Sequence, residues 1–310
     1  MTDDLTLRRP EGHRVKFRRM RFPFEDGFDK YWHSGSPFLS FFFDALSSAF
    51  RPGETFFIDS ARAMRDLTDD QALLDEVAEF SKQEGHHTAQ HVKFNKMVQA
   101  QGVDVDRSEA VFKYFLDRAR AKMEPGEMLA VTCALEHFTA GFAHECLSNP
   151  RLTEGADPAV LALWRWHAME EMEHKATCHD LYQQVDGGYL RRCSILIGSW
   201  FMILAITMVS TFRMLKADGK LFGGGRIWEG LRLLLGRRGM LTRNVPWFFQ
   251  YFRPSFHPWQ HDNHRLIAEW ERTDAKYVLN ADNEATAPTA SDATDASDAQ
   301  APPLASAAHA

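Results

Sequence analysis

Two Glu-x-x-His motifs give this sequence residues that are able to hold metal ions. Glu84 and His87 form the first motif, and Glu171 and His174 form the second. On an α-helix, positions i and i+3 share a face, so each motif can direct one carboxylate and one imidazole at the same ion. A single motif of this kind arises readily by chance, so its repetition and its surroundings must carry the prediction.

The spacing around the two motifs repeats as well. Glu54 precedes the first motif by 30 residues, and Glu136 precedes the second by 35. Both lengths suit an antiparallel helix pair with a lone Glu on one helix and a Glu-x-x-His on the next. Two such pairs would place four carboxylates and two imidazoles in one bundle interior, a ligand set for two divalent ions. The predicted metal ligands are Glu54, Glu84, His87, Glu136, Glu171 and His174.

More residues of the same types surround these ligands. Eight of the fourteen histidines fall between residues 86 and 179. His91 and His167 lie one helical turn from the two motifs, so we expect them to support the ligands or to add to them. Glu170 precedes the second motif and Glu173 lies within it, and in a hydrolase either is expected to be a free carboxylate for general-base catalysis.

Another group of histidines lies near the C terminus. His257, His261 and His264 have the spacing of ligands on a helix, but Pro254 and Pro258 favour a loop. A structural role is the main expectation for this group, and a lid or an accessory ligand is the alternative.

Composition limits the class of protein. The 310 residues are 45% hydrophobic, which is enough for a large core. The four cysteines form no Cys-x-x-Cys pair, which favours a reducing compartment. Glycine-rich phosphate loops and a Gly-x-Ser-x-Gly turn are absent from the sequence, so it offers no motif for nucleotide binding or serine hydrolysis. The first thirty residues contain no apolar stretch of signal-peptide length, so secretion is not expected.

Helical periodicity dominates the chain. One helix is expected from Pro37 to a break at Pro52-Gly53, and a second from Glu54 to about Leu67. A third follows the cap at Asp70 and reaches about Gln99, and further helices cover 108–122, 126–147 and 157–185. The predicted fold is all-α: a ferritin-like helical bundle with an extra apolar, membrane-associated region. The expected regions are a basic N-terminal arm (1–36), a metal-binding bundle (37–186), the membrane-associated region (187–256), a His-rich segment (257–280) and a disordered tail (281–310).

An apolar stretch over residues 194–212 raises the question of a membrane. Its nineteen residues carry no charge and are just long enough to span hydrocarbon. Basic residues on both sides fit poorly with a simple span. A helix in the interface, a hairpin with Ile227–Leu235 and a buried bundle helix therefore stay open as alternatives. Residues 187–256 contain 11 Lys and Arg against two acids, whereas residues 54–186 contain 13 against 24. We expect association with the cytoplasmic side of a membrane and no nucleic-acid partner.

Five separated stretches resemble the bacterial family called predicted metal-dependent hydrolases, over about residues 10–272. They are RPGETFF (51–57), QEGHHTAQHVKFN (83–95), LEHFTA (135–140), WHAMEEMEHKATCHD (166–180) and FHPWQHDN (256–263). This resemblance implies a metal and a hydrolytic reaction. The ligand pattern also resembles ferritin-like di-iron carboxylate proteins, which implies activation of O2 instead.

Three functions are compatible with the ligand set and these resemblances. The leading expectation is a di-iron-type oxidase or oxygenase that acts on a small apolar or lipid-like substrate. The alternative is a metal-dependent hydrolase of esters or phosphoesters, and the third is a non-catalytic iron-handling protein. The expected cofactor is two divalent metal ions, with iron as first choice and manganese or zinc as alternatives. A homo-oligomer is left open.

Overall fold

The computed structural model describes residues 10, 12–24 and 26–279, and the regular structure within them is helical. The predicted all-α fold is confirmed for these residues. Residues 281–310, predicted to be a disordered tail, lie outside the described residues, as do residues 1–9 of the predicted arm. The α-helices are α1 (Pro37–Arg65), α2 (Gln71–Ala100), α3 (Asp106–Lys122), α4 (Pro125–Ser148), α5 (Pro150–Thr153), α6 (Pro158–His174), α7 (Thr177–Val185), α8 (Tyr189–Ala217), α9 (Ile227–Leu235), α10 (Met240–Gln250) and α11 (His264–Thr273).

Two helical hairpins, α1–α2 and α4–α6, form the centre of the bundle. Short connections join the helices of each pair, and side-chain caps fix where α2 and α6 begin. The Asp70 carboxylate accepts a hydrogen bond from the Leu73 amide at the start of α2. At the start of α6, the Asp157 carboxylate accepts from the Ala159 amide, and Pro158 occupies the first helical position. The caps therefore fix where α2 and α6 begin, and the Glu-x-x-His motif of each helix lies more than three turns after that start.

Helix α1 corrects the predicted break at Pro52-Gly53. The helix continues without interruption from Pro37 to Arg65, which places Glu54 in its interior rather than at a start. A proline inside a helix removes one backbone hydrogen bond and costs about 3 kcal/mol. Because α1 is buried on nearly all sides, including Phe56 and Phe57, packing against its neighbours outweighs that cost.

The segment predicted as a single helix over 157–185 consists of two helices. Helix α6 ends at His174, and α7 begins at Thr177 after a two-residue turn. Lys175 in this turn is buried and donates to the backbone carbonyl of His261 and to Asn263. The regular helix is thus interrupted directly after the last predicted ligand, where the C-terminal segment contacts it.

The N-terminal segment packs on the bundle. The backbone amide of Met20 donates to His86 in α2, and Met20 forms an isolated bridge with Val278. Arg18 is buried and forms ion pairs with Glu173 in α6. This segment therefore covers α2 and α6 close to the predicted ligands.

Helix α8 contains the apolar stretch and lies against α1, α3 and α4. It is the one described helix that is long and apolar enough to cross a membrane by length and composition alone. Within its most apolar window, 44% of the residues are buried in the protein. Leu196, Trp200 and Ile203 are among the buried residues, whereas Ile197 and Phe201 are exposed. The helix thus has one covered side and one open apolar side.

Candidate metal centre

Four carboxylates and three imidazoles meet between α1, α2, α4 and α6 as two adjacent groups. The first group consists of Glu84 from α2, Glu136 from α4, and Glu171 and His174 from α6, with ligand atoms within 4.8 Å of one another. His174 Nε2 lies 3.1 Å from Glu84 Oε1 and 3.4 Å from Glu136 Oε2. Atoms that share an ion at about 2.1 Å are separated by roughly 3 to 3.5 Å, so the spacing suits one metal ion.

The second group consists of Glu54 from α1, His87 from α2 and His167 from α6. His167 Nε2 lies 3.6 Å from Glu54 Oε1. All six predicted metal ligands thus lie in the two groups, and His167 joins them as a seventh residue. Their action as ligands stays a prediction.

Glu171 lies between the two groups. Its Oε1 atom is 2.9 Å from His167 Nε2 and 4.0 Å from His87 Nδ1, and its Oε2 atom is 3.6 Å from His174 Nε2. One carboxylate therefore offers an oxygen to each group, as a residue that bridges two ions would do.

Hydrogen bonds orient the imidazoles of His87 and His174. His87 Nε2 lies 3.0 Å from the Glu170 carboxylate, and His174 Nδ1 lies 2.9 Å from the amide oxygen of Gln83. An amide oxygen only accepts, so His174 Nδ1 carries the proton, and an ionised Glu170 would place the proton of His87 on Nε2 in the same way. The other nitrogens, His87 Nδ1 and His174 Nε2, then present lone pairs to the centre, and neither has a hydrogen-bond partner among the described residues.

A chain of hydrogen bonds fixes His167 in the same way. Asn95 Oδ1 accepts from Ser47, so the Ser47 oxygen accepts from His91 Nδ1, at 2.8 Å. His91 Nε2 then accepts from His167 Nδ1, also at 2.8 Å, which leaves a lone pair on His167 Nε2. That lone pair faces Glu171 at 2.9 Å, and two acceptors at this distance need a proton or a metal cation between them.

In the described structure, the buried carboxylates of the centre lack the positive charge of a Lys or Arg that would stabilise their ionised forms. Burial raises the pKa of Glu54, Glu84 and Glu136 well above the usual value, and the neighbouring carboxylates raise it further. Burial opposes ionisation of Glu171 too, but His174 and His167 hold its pKa below the usual value. In the described part of the chain, no Lys or Arg lies within 4.0 Å of these four carboxylates.

Buried carboxylate oxygens without hydrogen-bond partners show whether these residues suit metal ions. Both oxygens of Glu84 and of Glu136 are buried without a hydrogen-bond partner in the described structure. Buried polar atoms of native proteins are rarely left in this way. Two divalent cations would neutralise four carboxylates, and the mixed oxygen and nitrogen donors suit iron, manganese or zinc. The residues present therefore fit the implied metal ions, and the donor set does not choose among them.

Glu170 and Glu173, predicted as general bases, lie outside the two groups. Glu170 contacts the far nitrogen of His87, and Glu173 accepts two hydrogen bonds from Arg18, at 2.7 and 2.8 Å. Gln83 also donates to Glu173. Neither carboxylate faces the space between the ligands, so their positions favour holding other residues over accepting a proton from a substrate.

Sequence reasoning did not identify three of the supporting residues. Gln83 holds His174, Ser47 holds His91, and Thr88 donates to Glu54 Oε2 at 2.7 Å. Gln83 and Thr88 directly precede and follow the first Glu-x-x-His motif, so their position was a usable signal. Ser47 lies on another helix, and only the packing of α1 against α2 brings it to His91.

The C-terminal histidines do not converge on a single ion. His257 Nε2 lies 2.8 Å from Asp180 Oδ1, whereas the ring of His261 stacks on Trp247 with centroids 3.7 Å apart. His264 begins α11. The predicted loop around Pro258 is present as a short 3-10 turn.

Asp180 and His257 belong to a third group of ligand-type residues, together with His179. Arg192 lies in the same buried region, with Nη1 3.1 Å from His179 Nε2. Arg192 thus occupies one ring nitrogen of His179, and His257 contacts Asp180, so the group fits a structural role better than a metal site.

A small apolar cavity reaches the centre from the side of α8. Its volume is about 30 Å³, room for water-sized molecules. Glu54 and Glu171 are the only carboxylates on its wall among the described residues. The rest of the lining is Ala49, Phe50, Gly53, Phe57, Phe112, Leu116, Leu135, Thr139, Met202 and Ile203.

Comparison with known proteins identifies a family but no close relative. No curated protein and no solved structure matches the chain, so likeness to ferritin-like proteins stays a prediction. A family model described as predicted metal-dependent hydrolase matches residues 16–262, a range that includes all seven residues of the two groups. The chain therefore belongs to the family of predicted metal-dependent hydrolases.

Proposed function

We propose that this protein is a hydrolase with a dinuclear metal centre that cleaves an ester or phosphoester carrying an apolar chain. The observation that carries the proposal is the position of Glu171, whose two oxygens face two separate groups of buried ligand atoms. Membership of a family described as metal-dependent hydrolases supports hydrolysis as the reaction.

The residues of the two groups would bind two metal ions. Glu54, His87 and His167 would hold one ion, Glu84, Glu136 and His174 would hold the other, and Glu171 would contact both. Bound divalent ions would supply a water of lowered pKa and polarise the ester or phosphoryl oxygen.

Residues around the centre keep each imidazole in place. Glu170 and Gln83 contact the outer ring nitrogens of His87 and His174, which orients both rings before any substrate enters. Ser47 and His91 do the same for His167. Such support keeps the lone pairs directed at the ions with little reorganisation.

The cavity supports an apolar substrate. Its wall is formed mainly by aliphatic and aromatic side chains, including Phe50, Leu135 and Ile203, and it ends on Glu54 and Glu171. An apolar chain in this cavity would exclude bulk water and place a polar ester group at the carboxylate end. Because the cavity holds only water-sized molecules in this structure, entry of such a chain requires movement of the lining side chains.

The second candidate is the O2-activating oxidase that the ligand pattern first indicated. Two hairpins with one lone Glu and one Glu-x-x-His each reproduce the pattern of di-iron carboxylate proteins, and this observation keeps the oxidase as a rival. The family description favours the hydrolase. The metal that the protein carries and its response to O2 separate the two.

Elemental analysis and an esterase assay test the proposal together. We expect about two divalent ions per chain and metal-dependent release of nitrophenolate from p-nitrophenyl octanoate or bis(p-nitrophenyl) phosphate. Glu84→Ala and His174→Ala should lose one ion, and Glu171→Ala should lose activity and bind both ions more weakly. Glu145→Gln is the matched control, because Glu145 is a buried carboxylate paired with Arg243 away from the centre.

Each other outcome has a clear meaning. Full metal content in Glu84→Ala and His174→Ala would show that the ligand assignment is wrong. Protein without bound metal that also fails to bind added Zn²⁺, Mn²⁺ or Fe²⁺ would remove the metal centre altogether. Two ferrous ions that consume O2, without cleavage of either ester, would replace the hydrolase with the oxidase.

A further inference from the structure

The outer side of α8 is apolar and uncovered by the described protein. Ile197, Phe201, Ala205 and Val209 follow one another at four-residue steps, so they form a single stripe along the helix. Phe201 and Val209 are each 68% exposed. The opposite side of α8 packs into the bundle, where the Trp200 indole donates to the backbone carbonyl of Ala134.

Neighbouring helices widen this stripe into a surface. Phe115 of α3 is exposed on one side of α8, at the edge of a groove between the two helices. On the other side, Phe248 of α10 packs on Trp200 with ring centroids 4.8 Å apart, and the adjacent Phe249 is exposed. We call the surface formed by Phe115, Ile197, Phe201, Val209 and Phe249 the α8 face.

The groove in the α8 face leads towards the metal centre. Its volume is about 510 Å³, and its wall includes Gly198 of the outer side of α8. Leu116 and Met202 line this groove and also line the inner cavity that ends on Glu54 and Glu171. The side chains of Leu116 and Met202 thus lie between the groove and the cavity.

Cations lie beside the apolar residues on the α3 side and at the C-terminal end of α8. Arg118 and Lys122 of α3 line the groove, and Lys216 lies beyond the stripe in the last turn of α8. None of these three has a carboxylate within 4.0 Å among the described residues. Exposed cations around an apolar surface are complementary to anionic lipid headgroups above hydrocarbon.

We propose that the α8 face docks on the surface of an anionic lipid bilayer, with α8 in the plane of the interface and the groove open to the lipid. Docking does not depend on the proposed hydrolysis; only the role of the groove as a substrate entrance rests on it. A crossing α8 would have to leave its packing on α1, α3 and α4, so the interface is the position consistent with the fold. A second copy fits less well, because a twofold contact through the α8 face offers no carboxylate of that face to pair with Arg118 and Lys122.

Vesicle sedimentation tests this proposal. The full-length protein is mixed with phosphatidylcholine vesicles that contain or lack 30% phosphatidylglycerol, and the bound fraction is measured against lipid concentration. We expect binding to the anionic vesicles that weakens at high salt. Phe201→Ser with Ile197→Ser should reduce the partition coefficient at least tenfold. Arg118→Gln with Lys122→Gln should reduce it about fivefold for each cation and leave binding to neutral vesicles unchanged.

Leu67→Ser is the matched control, because Leu67 is 66% exposed but lies in the turn after α1, outside the α8 face. Its binding should equal that of the unsubstituted protein. Circular dichroism of each variant shows that it is folded, and a chelator-treated sample shows that docking is separate from the metal centre. The proposal is overturned if the unsubstituted protein does not sediment, or if Phe201→Ser with Ile197→Ser sediments equally well. Dimerisation that this double variant abolishes, without vesicle binding, would assign the face to a second copy.

Discussion

At the scale of single residues, the centre depends on side chains that are not themselves ligands. Glu170 is the sharpest example, because it contacts the outer nitrogen of His87 and lies outside the two ligand groups. Glu170→Gln preserves the shape of the side chain but replaces the carboxyl group that faces His87 Nε2. We expect a 10- to 100-fold loss of metal affinity in the group formed by Glu54, His87 and His167, and little change in the other group. Competition with a chromophoric chelator, followed by elemental analysis, measures this loss.

Glu145→Gln serves as the control for that experiment, because it neutralises a buried carboxylate that pairs with Arg243 instead of a ligand. It should retain both ions in the same competition. Equal retention by Glu170→Gln would mean that the contact with His87 does not support metal binding.

The residues of the centre differ in how far the sequence reveals them. Glu84, His87, Glu171 and His174 are recognisable because i, i+3 spacing on a helix is a local property. The placement of His167 among the ligands depends on the orientation of its ring, which is set by His91 and Ser47 from other helices. Contacts of that kind arise from packing, so one sequence cannot specify them.

At the scale of helices, the sequence predicts the hairpins well and their interruptions poorly. The caps before α2 and α6 and the all-α class follow from local patterns. The break expected at Pro52 is wrong because burial of α1 outweighs the local preference of proline. The turn at Lys175 was not predicted, because the partners of its ammonium, His261 and Asn263, come from a distant segment.

Gly53 in α1 provides a prediction at this scale. An added Cβ would meet no atom closer than 4.0 Å, so alanine fits the backbone there. Gly53→Ala should raise the free energy of unfolding by about 0.5–1 kcal/mol, because alanine favours the helix. Gly53 lines the cavity, so the added methyl group would narrow it. We therefore expect Gly53→Ala to lower kcat/KM for p-nitrophenyl octanoate more than for p-nitrophenyl acetate. Chemical denaturation and the ratio of kcat/KM for the two esters measure both effects.

Gly85→Ala in α2 is the matched control, since an added Cβ there meets nothing within 4 Å and Gly85 is exposed. It should give a similar gain in stability with an unchanged ratio between the esters. A lower ratio in both variants would point to a general effect of helix rigidity and would contradict a role for the cavity.

At the scale of the whole molecule, the metal centre connects four helices that are distant in the chain. Glu54, Glu84, Glu136 and Glu171 come from α1, α2, α4 and α6, so ions held by them would stabilise the bundle as a unit. Ions present at a hundredfold excess over their Kd add about 2.7 kcal/mol each to the free energy of unfolding. We therefore expect chelation to lower the Tm by several degrees in one cooperative transition, as measured by circular dichroism and calorimetry.

The size of this effect should depend on pH, and its sign follows from the buried carboxylates. In the metal-free protein the pKa values of Glu54, Glu84 and Glu136 are raised by burial, so the folded state retains protons that the unfolded state releases above about pH 4.3. Their contribution to stability is present at lower pH and is lost as pH rises towards the raised pKa values. Metal binding has the opposite dependence, because the carboxylates must release protons to become ligands. The Tm difference between metal-loaded and chelated protein should therefore widen from pH 5 to pH 8, and Glu84→Gln, which cannot ionise, should reduce the widening. A difference that stays constant or narrows over this range would show that these carboxylates do not exchange protons for metal ions.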